Sequence, residues 1–417
     1  MSLLGKKVAV LVSGSIAAYK ACELIRRLQK EGASVRVAMT RTAESFVSAL
    51  TFQALSGHAV LTDTSEADSV YGHLELARWA DIFVFAPASA NSMARIRAGF
   101  ADSPLLAAVL AFRGPVVLAP AMNTAMWENK RTQENLAELL RESRFVLVPP
   151  QEGALADKDI GMGRLADIEV VLQTVVGLLA TSPLKGKKLL LTAGPTREPW
   201  DAFRFLSNPS SGKMGIALAI EAYRRGMEVS LVLGVVCEAL RKTLPSNIEV
   251  MDITTAEEMC TAVLERVNRV DCFIATAAVS DFRPAEVHEG KMDKAKAPKA
   301  MPLVPTIDIL ATASAQVYPL NKRPYLIGFA AQTQNLVEYA ECKLREKRLD
   351  AICANDISKA GVGFASDDNE IFWVRACAKP LQVKGSKAKI AAFILDELAQ
   401  WGEADERNSA GQKNPSQ

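Results

Sequence analysis

The sequence predicts an α/β chain of two doubly wound, Rossmann-like domains with mainly parallel sheets. Three observations carry that expectation. An apolar strand, a small-residue turn, an amphipathic helix and a second strand follow one another over residues 7–39, "KVAVLVSGSIAAYKACELIRRLQKEGASVRVAM", which is a βαβ unit. The pattern restarts at residue 187. Between the two lies "LLATSPLKGKK", where Pro183 and Gly186 break the preceding helix and mark a seam. The expected domains are therefore residues 1–183 and 184–401, with 402–417 as a disordered tail.

Each element follows from its residues. The first helix is expected to end at Gly32, and further strands are expected at "DIFVFAP", "GPVVLAP" and "FVLVPP", each running into Pro or small residues where a loop begins. Fully apolar strands alternating with helices imply a parallel sheet covered on both faces. In the second half, "KKLLLTAGPTREP" reads as a strand and turn, and "GKMGIALAIEAYRRGMEVSLVLG" as a helix ending at Gly226 and then a strand. "VDCFIATAAVSDFRP" and "RPYLIGFAAQT" read as later strands with their loops. The tail, "GEADERNSAGQKNPSQ", has almost nothing to bury, so its ordering entropy would go uncompensated.

Composition narrows the function. Across 417 residues, 49% are hydrophobic and 23% charged, the balance of a globular protein with ample core material. A net charge of +2 is far from what a phosphate-tracking nucleic-acid binder needs, so small-molecule partners are expected and nucleic acid is not. The apolar runs are too short to span a bilayer or to form a signal peptide, which leads to the expectation of a cytoplasmic protein with no membrane partner. Cys22, Cys237, Cys260, Cys272, Cys342, Cys353 and Cys377 are odd in number and form no C-x-x-C pair, which argues for reduced thiols rather than disulfides or structural zinc. His58, His73 and His288 make no metal-ligand spacing.

In open α/β sheets ligands sit beyond the carboxyl ends of strands, where helix N-termini offer N–H groups to anions. Gly14-Ser15 occupies such a turn, though a tight turn alone explains it equally well. Ser89, Asn91 and Ser92 follow an apolar strand and precede a helix, where they can cap the helix alone or also hold a phosphate or a ring. Asn123 lies in "PAMNTAMW" among methionines and needs hydrogen-bond partners. A lone histidine at a helix start, such as His73, is more often a cap or a packed residue than a catalyst. "SNPSSGKMG" suits phosphate or carboxylate binding but is no Walker motif, because Met214 stands where the hydroxyl residue belongs. Lys291, Lys294, Lys296 and Lys299 form a lysine-rich loop, either simply solvated or a clamp for a triphosphate.

Taken together, "GSIAAYK", "GHLELARWAD", "APASANSMARIRAGFAD" and "PAMNTAMW" resemble the flavin-containing cysteine decarboxylases. The segments "TAGPTREPWDAFRFLSNPSSGKMG", "AAVSDFRP", "GFAAQT" and "ICANDI" are similar to phosphopantothenate-cysteine ligase. In this order the chain resembles the bacterial bifunctional phosphopantothenoylcysteine decarboxylase / phosphopantothenate-cysteine ligase family of coenzyme A biosynthesis, over about residues 5 to 400.

The resemblance implies FMN held by Gly14, Ser15, Ile16, Thr40, Ser89, Ala90, Asn91, Ser92 and Ala121, in sites between the subunits of a trimer. It implies that His73 assists decarboxylation and that Asn123 binds the substrate carboxylate. The stretch "EGALADKDIGMGRL" corresponds to a flap over substrate, to which Ala156 and Arg164 contribute. The family form carries Cys-Gly where Asp157-Lys158 stand here, and that cysteine is assigned the proton that completes reduction. Three explanations stand open: Asp157 delivers the proton if the closed flap raises its pKa, Lys158 or water does so, or the decarboxylase half is slow.

For the second half the resemblance implies activation of 4′-phosphopantothenate by CTP, with Mg2+, to an acyl-cytidylate, which the amine of cysteine then attacks. The matching nucleotide-site residues are Ala277, Asp281, Lys291, Ile307, Asp308, Ile309, Leu310, Phe329, Lys343 and Lys347. Lys291 is also a catalytic candidate, and Asn208 matches an asparagine tied to the intermediate. Gln332 stands where glutamate is usual, and "TIDIL" replaces Asn-Pro-Asp-Ile-Val. Trimeric and dimeric contacts together would close a homo-oligomer into a dodecamer. Two other readings are a flavin-binding regulatory module and a chain in which only the ligase is active. The lysine loop speaks against the first.

Overall fold

Residues Lys7–Val12 form β1, and alternate side chains leave it in opposite directions. Val8, Val10 and Val12 enter one apolar cluster, while Ala9 and Leu11 enter another across the sheet. The strand is thus covered on both faces, and this is why it reads as a continuous apolar run. In the computed structural model, residues 2–63, 71–156, 159–292, 300–320, 322–332, 335–356 and 366–411 are described, without the side chains of 356 and 402–411. The chain divides into two compact units, residues 1–180 with Pro245–Asn247, and the remainder from Thr181.

In the first unit β2 (Ser34–Met39), β3 (Ile82–Ala88), β4 (Val116–Pro120) and β5 (Phe145–Leu147) join β1 in the order β2-β1-β3-β4-β5, all parallel. The crossover helix Lys20–Lys30 buries Ala21, Leu24, Ile25 and Leu28, an i, i+3, i+4, i+7 stripe. The strand order reverses between β1 and β3. Connections leave these two strands in opposite directions, opening a crevice at their carboxyl ends. A separate antiparallel hairpin, β6 (Gln151–Ala154) and β7 (Ile160–Arg164), follows β5.

The second unit repeats the principle with more strands. These are β8 (Lys188–Ala193), β9 (Arg197–Pro199), β10 (Phe205–Ser207), β11 (Glu228–Leu233), β12 (Glu249–Asp252), β13 (Cys272–Ala275), β14 (Phe282–Pro284), β15 (Leu303–Pro305), β16 (Tyr325–Gln332), β17 (Ala351–Asp356), β18 (Asp368–Arg375) and β19 (Leu381–Ser386). The main sheet runs β12-β11-β8-β13-β16-β17-β18-β19, parallel as far as β17 and antiparallel for the last two strands. Here the reversal lies between β8 and β13. The expected fold class, two doubly wound α/β domains with mainly parallel sheets, is the one observed.

The last helix spans Lys387–Gly411, so its backbone continues into the segment expected to be a disordered tail. Glu, Ala and Arg are good helix formers, and each further residue of a helix already begun adds a hydrogen bond without paying again for nucleation.

Candidate functional site

Two cavities occupy the two strand-order reversals. The first, of about 1020 Å³, is lined by the turn after β1 (Gly14, Ser15, Ile16), by Thr40 after β2, by Ser89–Ser92 after β3, and by Ala121 and Asn123 after β4. All the flavin candidates from the sequence therefore share one cavity, together with Asn123, Ala156 and Arg164.

The loops are shaped by their own hydroxyls. Ser15 Oγ accepts from Ala17 N–H at 3.3 Å, and Thr40 Oγ1 accepts from Ala43 N–H at 3.3 Å, each capping a short helical turn. Ser89 Oγ accepts from Ser92 N–H at 3.2 Å and donates to Ser92 Oγ at 3.1 Å, which caps the helix Ala90–Arg97. Asn123 Oδ1 accepts from Ala125 N–H at 2.8 Å and starts the helix Thr124–Glu128.

The β6–β7 hairpin contributes to the same cavity through Ala154, Leu155, Ala156, Gly163, Arg164 and Leu165. Met122 N–H donates to the Gly163 carbonyl at 3.0 Å. Gly163 has φ +146°, and a Cβ there would lie 2.1 Å from the Met122 carbonyl oxygen, so only glycine permits this approach. The stretch expected to be a lid is therefore a hairpin docked on the loop of Asn123. Asp157 and Lys158 lie outside the described residues. Burial, and after it the charge of Arg164, lower the pKa of Lys20, which also lines the cavity; Asp167 and Glu23 pull the other way. His73, second residue of the helix Gly72–Trp79, is not among the lining residues.

The second cavity, of about 500 Å³, is lined by Asn208, the Ser210–Gly215 segment that opens the helix Lys213–Arg224, Ala275–Val279, Asp281, Thr306–Leu310, Phe329, Lys343 and Lys347. Close packing of that helix on the sheet depends on Gly215, where a Cβ would meet the Ala193 Cβ at 2.3 Å. Asn208 Nδ2 donates to the Val279 carbonyl at 2.9 Å, tying the two loops together. Asp308 caps the helix Ile309–Val317 through Ala311 N–H at 3.0 Å, and pairs with Lys347 Nζ at 2.6 Å. Burial opposes ionisation of Asp308, yet Lys347, Ala311 N–H and the charge of Lys343 together hold its carboxyl below the usual range.

Of the nucleotide candidates, Ala277, Asp281, Ile307, Asp308, Ile309, Leu310, Phe329, Lys343 and Lys347 line this cavity, and Lys291 does not. Its ammonium instead lies 5.1 Å from the Phe203 ring. Lys294, Lys296 and Lys299 lie outside the described residues. The cavity also holds Lys213, from the segment expected to bind a phosphate or carboxylate, and residues to which the sequence assigned no role: Asn355, Asn369 and Lys387. Lys387 is 7% exposed, and burial first, then the charge of Lys213, lower its pKa. No group of three or more His, Cys, Asp or Glu suited to a metal occurs among the described residues.

Comparison with known proteins assigns both halves. Residues 2–180 match the Flavoprotein family, and residues 184–401 match the family described as DNA/pantothenate metabolism flavoprotein C-terminal domain. The coenzyme A biosynthesis bifunctional protein CoaBC of Vibrio vulnificus is 41% identical over 405 residues, 95% of this chain and 98% of its own. Its counterpart in Escherichia coli is 42% identical over 407 residues, 95% of this chain and 98% of its own. The crystal structure of the C-terminal domain of a CoaBC protein is 36% identical and covers 54% of this chain and 100% of its own, with a TM-score of 0.44. With both domains matched in order and nearly the whole length aligned at this identity, the chain belongs to the family of bifunctional coenzyme A biosynthesis proteins, which join a flavoprotein decarboxylase to a ligase.

Proposed function

We propose that the second cavity joins cysteine to 4′-phosphopantothenate at the expense of CTP, and that the first decarboxylates the product to 4′-phosphopantetheine with FMN. The observation that carries this reading is the sorting of the candidate residues into two cavities, one per domain, each at a strand-order reversal.

In the ligase half, the carboxylate of phosphopantothenate attacks the α-phosphorus of CTP and pyrophosphate leaves. The cysteine amine then displaces CMP and gives up a proton. Lys343 and Lys347 balance the charge that gathers at phosphorus. Asn208 bridges the loops against which the intermediate lies. With no carboxylate cage among the described residues, Mg2+ would arrive on the triphosphate, the usual manner of an ion that keeps much of its water.

The first cavity fits a flavin in its donors and its volume: hydroxyls and small residues at three strand ends leave room for a ring system and its phosphate chain. Bound FMN supplies a two-electron oxidation of the cysteinyl group and the return of a hydride. This chain's residues orient and protonate. Asn123 faces the substrate carboxylate from a loop fixed by the hairpin, Arg164 and Lys20 attract the anionic substrate, and Asp157 or water delivers the last proton. His73 and Lys291, outside the cavities of their own chain, fit this reading through contacts between subunits of a homo-oligomer of trimers and dimers, a dodecamer. Ile16 and Tyr19, exposed at the rim of the first cavity, support such contacts. The expected setting is the cytoplasm.

The test is mass spectrometry of the products made from phosphopantothenate, cysteine and CTP, with ATP as the competing nucleotide. Phosphopantetheine, carbon dioxide and pyrophosphate in equal amounts support the proposal. A colourless protein that takes up no flavin and releases no pyrophosphate ends it. Unchanged turnover in Asp157→Ala removes Asp157 from the delivery of the last proton.

A further inference from the structure

Beneath Lys291 lies a carboxylate that lines neither cavity. Asp201 is 4% exposed, and its two oxygens take five donors. Oδ1 accepts from the N–H groups of Phe203 at 2.8 Å and Arg204 at 2.6 Å. Oδ2 accepts from Arg204 Nε at 3.0 Å, Arg204 Nη2 at 2.6 Å and the N–H of Met292 at 3.2 Å. Arg204 Nη2 donates in addition to the Met292 carbonyl at 3.2 Å. The residue after Lys291 is thus held at both its N–H and its C=O by an ion pair about 90 positions earlier in the chain.

Two further contacts join the same segments. His288 N–H donates to the Trp200 carbonyl at 3.0 Å, and the Lys291 ammonium lies 5.1 Å from the Phe203 ring. The Arg204 guanidinium stacks on Trp200 at 4.0 Å, which fixes its plane for the fork on Asp201. The turn itself is closed by the four bonds from Phe203 N–H, Arg204 N–H and the guanidinium Nε and Nη2. The bond to Met292 is therefore surplus to the turn and serves the Lys291 segment. Arg204 also keeps Asp201 well below the usual carboxylate range, so the anchor stays charged at any pH at which the protein is assayed.

We infer that Asp201 is a positioning residue for ligation: by gripping Met292 directly and through Arg204, it fixes the point from which Lys291 projects. The inference rests on the ligase reading of Lys291. Charge-assisted bonds to a buried carboxylate are about twice as strong as neutral ones. Losing them frees a backbone segment next to a lysine whose value depends on where its charge stands.

The experiment compares the full chain with Asp201→Asn and Asp201→Ala, each with and without Lys291→Ala. Amide hydrogen exchange over residues 288–292 is measured together with kcat and the KM for CTP. Exchange is expected to accelerate about ten-fold or more in Asp201→Ala, and less in Asp201→Asn, which keeps one acceptor oxygen where the carboxylate has two. Ligation kcat should fall about ten-fold or more while the KM for CTP stays within about two-fold, because Asp201 lines no nucleotide cavity and acts only on where the Lys291 charge stands in the transition state. On the residual rate of Lys291→Ala the same substitution should change kcat less than about two-fold, the non-additivity expected of residues that act as a unit. Unaltered exchange overturns the anchor, and equal losses of kcat with and without Lys291 overturn the positioning role. If Asp201→Ala fails to fold, Asp201→Asn carries both comparisons. A wild-type chain that ligates nothing sinks the ligase reading and with it the link to catalysis, while exchange still decides the anchor.

Discussion

Ser13 is fully buried, and its hydroxyl bridges two strand ends: it accepts from Ser89 N–H at 2.8 Å and donates to the Pro87 carbonyl at 2.8 Å. It thereby sets the first residue of the Ser89–Ser92 loop without facing the cavity. Ser13→Ala leaves the Ser89 N–H short of its acceptor, while the Pro87 carbonyl keeps the Ser13 N–H at 3.2 Å, at a cost of about 1–3 kcal/mol. The expected outcome is a lower melting temperature and flavin binding weakened about ten-fold, read by fluorescence titration; an unchanged titration would separate Ser13 from the loop's function. At this scale the sequence was informative where a side chain serves the strand end it sits on. Ser89, Asn91 and Ser92 were visible because they follow an apolar run and open a helix. Asn355, Asn369 and Lys387 were not, because nothing local marks them. Pairing of β17 with β18 sets Asn355 opposite Ile371, two residues from Asn369, and only that antiparallel register brings the amides to one cavity.

Among the elements, the β6–β7 hairpin lines the first cavity while docked on the Met122 loop. Gly163→Ala asks a side chain to adopt φ +146° with its Cβ 2.1 Å from a carbonyl oxygen, so the hairpin must lift from the Met122 loop. Decarboxylation of supplied phosphopantothenoylcysteine should fall about ten-fold or more while pyrophosphate release in the ligase assay stays unchanged. A fall in both would show that the lesion is not local. In the second cavity Asp308 joins the helix Ile309–Val317 to Lys347, the residue just after the helix Leu336–Glu346. Its carboxyl is more acidic folded than unfolded, so its ionised form favours the fold. That contribution is complete above the unfolded value, about 3.9, and is lost as the pH falls through the folded one. Asp308→Asn should melt lower than the wild type from pH 7 to about pH 5, and the gap should close below about pH 4 as the wild-type carboxyl protonates. A gap independent of pH would mean that the charge is not involved. The β6–β7 segment is marked in the sequence only by its resemblance to the family's flap, because its glycines by themselves permit many turns and close approaches. β18 and β19 are not legible from the βα repeat, because an antiparallel pair appended to a parallel sheet breaks it.

For the whole molecule, two cavities assigned to two domains raise the question of how the intermediate travels. The residues lining one cavity and those lining the other are disjoint, and each set belongs to one compact unit. Lesions should therefore separate cleanly. Asn208→Ala loses the bridge between the loops of the second cavity and should abolish ligation, yet leave decarboxylation of supplied phosphopantothenoylcysteine intact. Gly163→Ala should do the reverse. Mixed in solution, the two variants should together make phosphopantetheine from phosphopantothenate, cysteine and CTP, because an intermediate released from one protein can be captured by another. The kinetics distinguish free diffusion from retention. If the intermediate is released, the mixture and the wild type should show similar lags before phosphopantetheine appears, and both lags should shorten as protein concentration rises. If each assembly retains its intermediate, the wild type should show almost no lag and only the mixture a concentration-dependent one. A mixture that makes no phosphopantetheine, from variants that each keep their remaining activity, would mean that neither cavity works on what the other releases, and the proposed sequence of reactions would fail at the level of the whole chain.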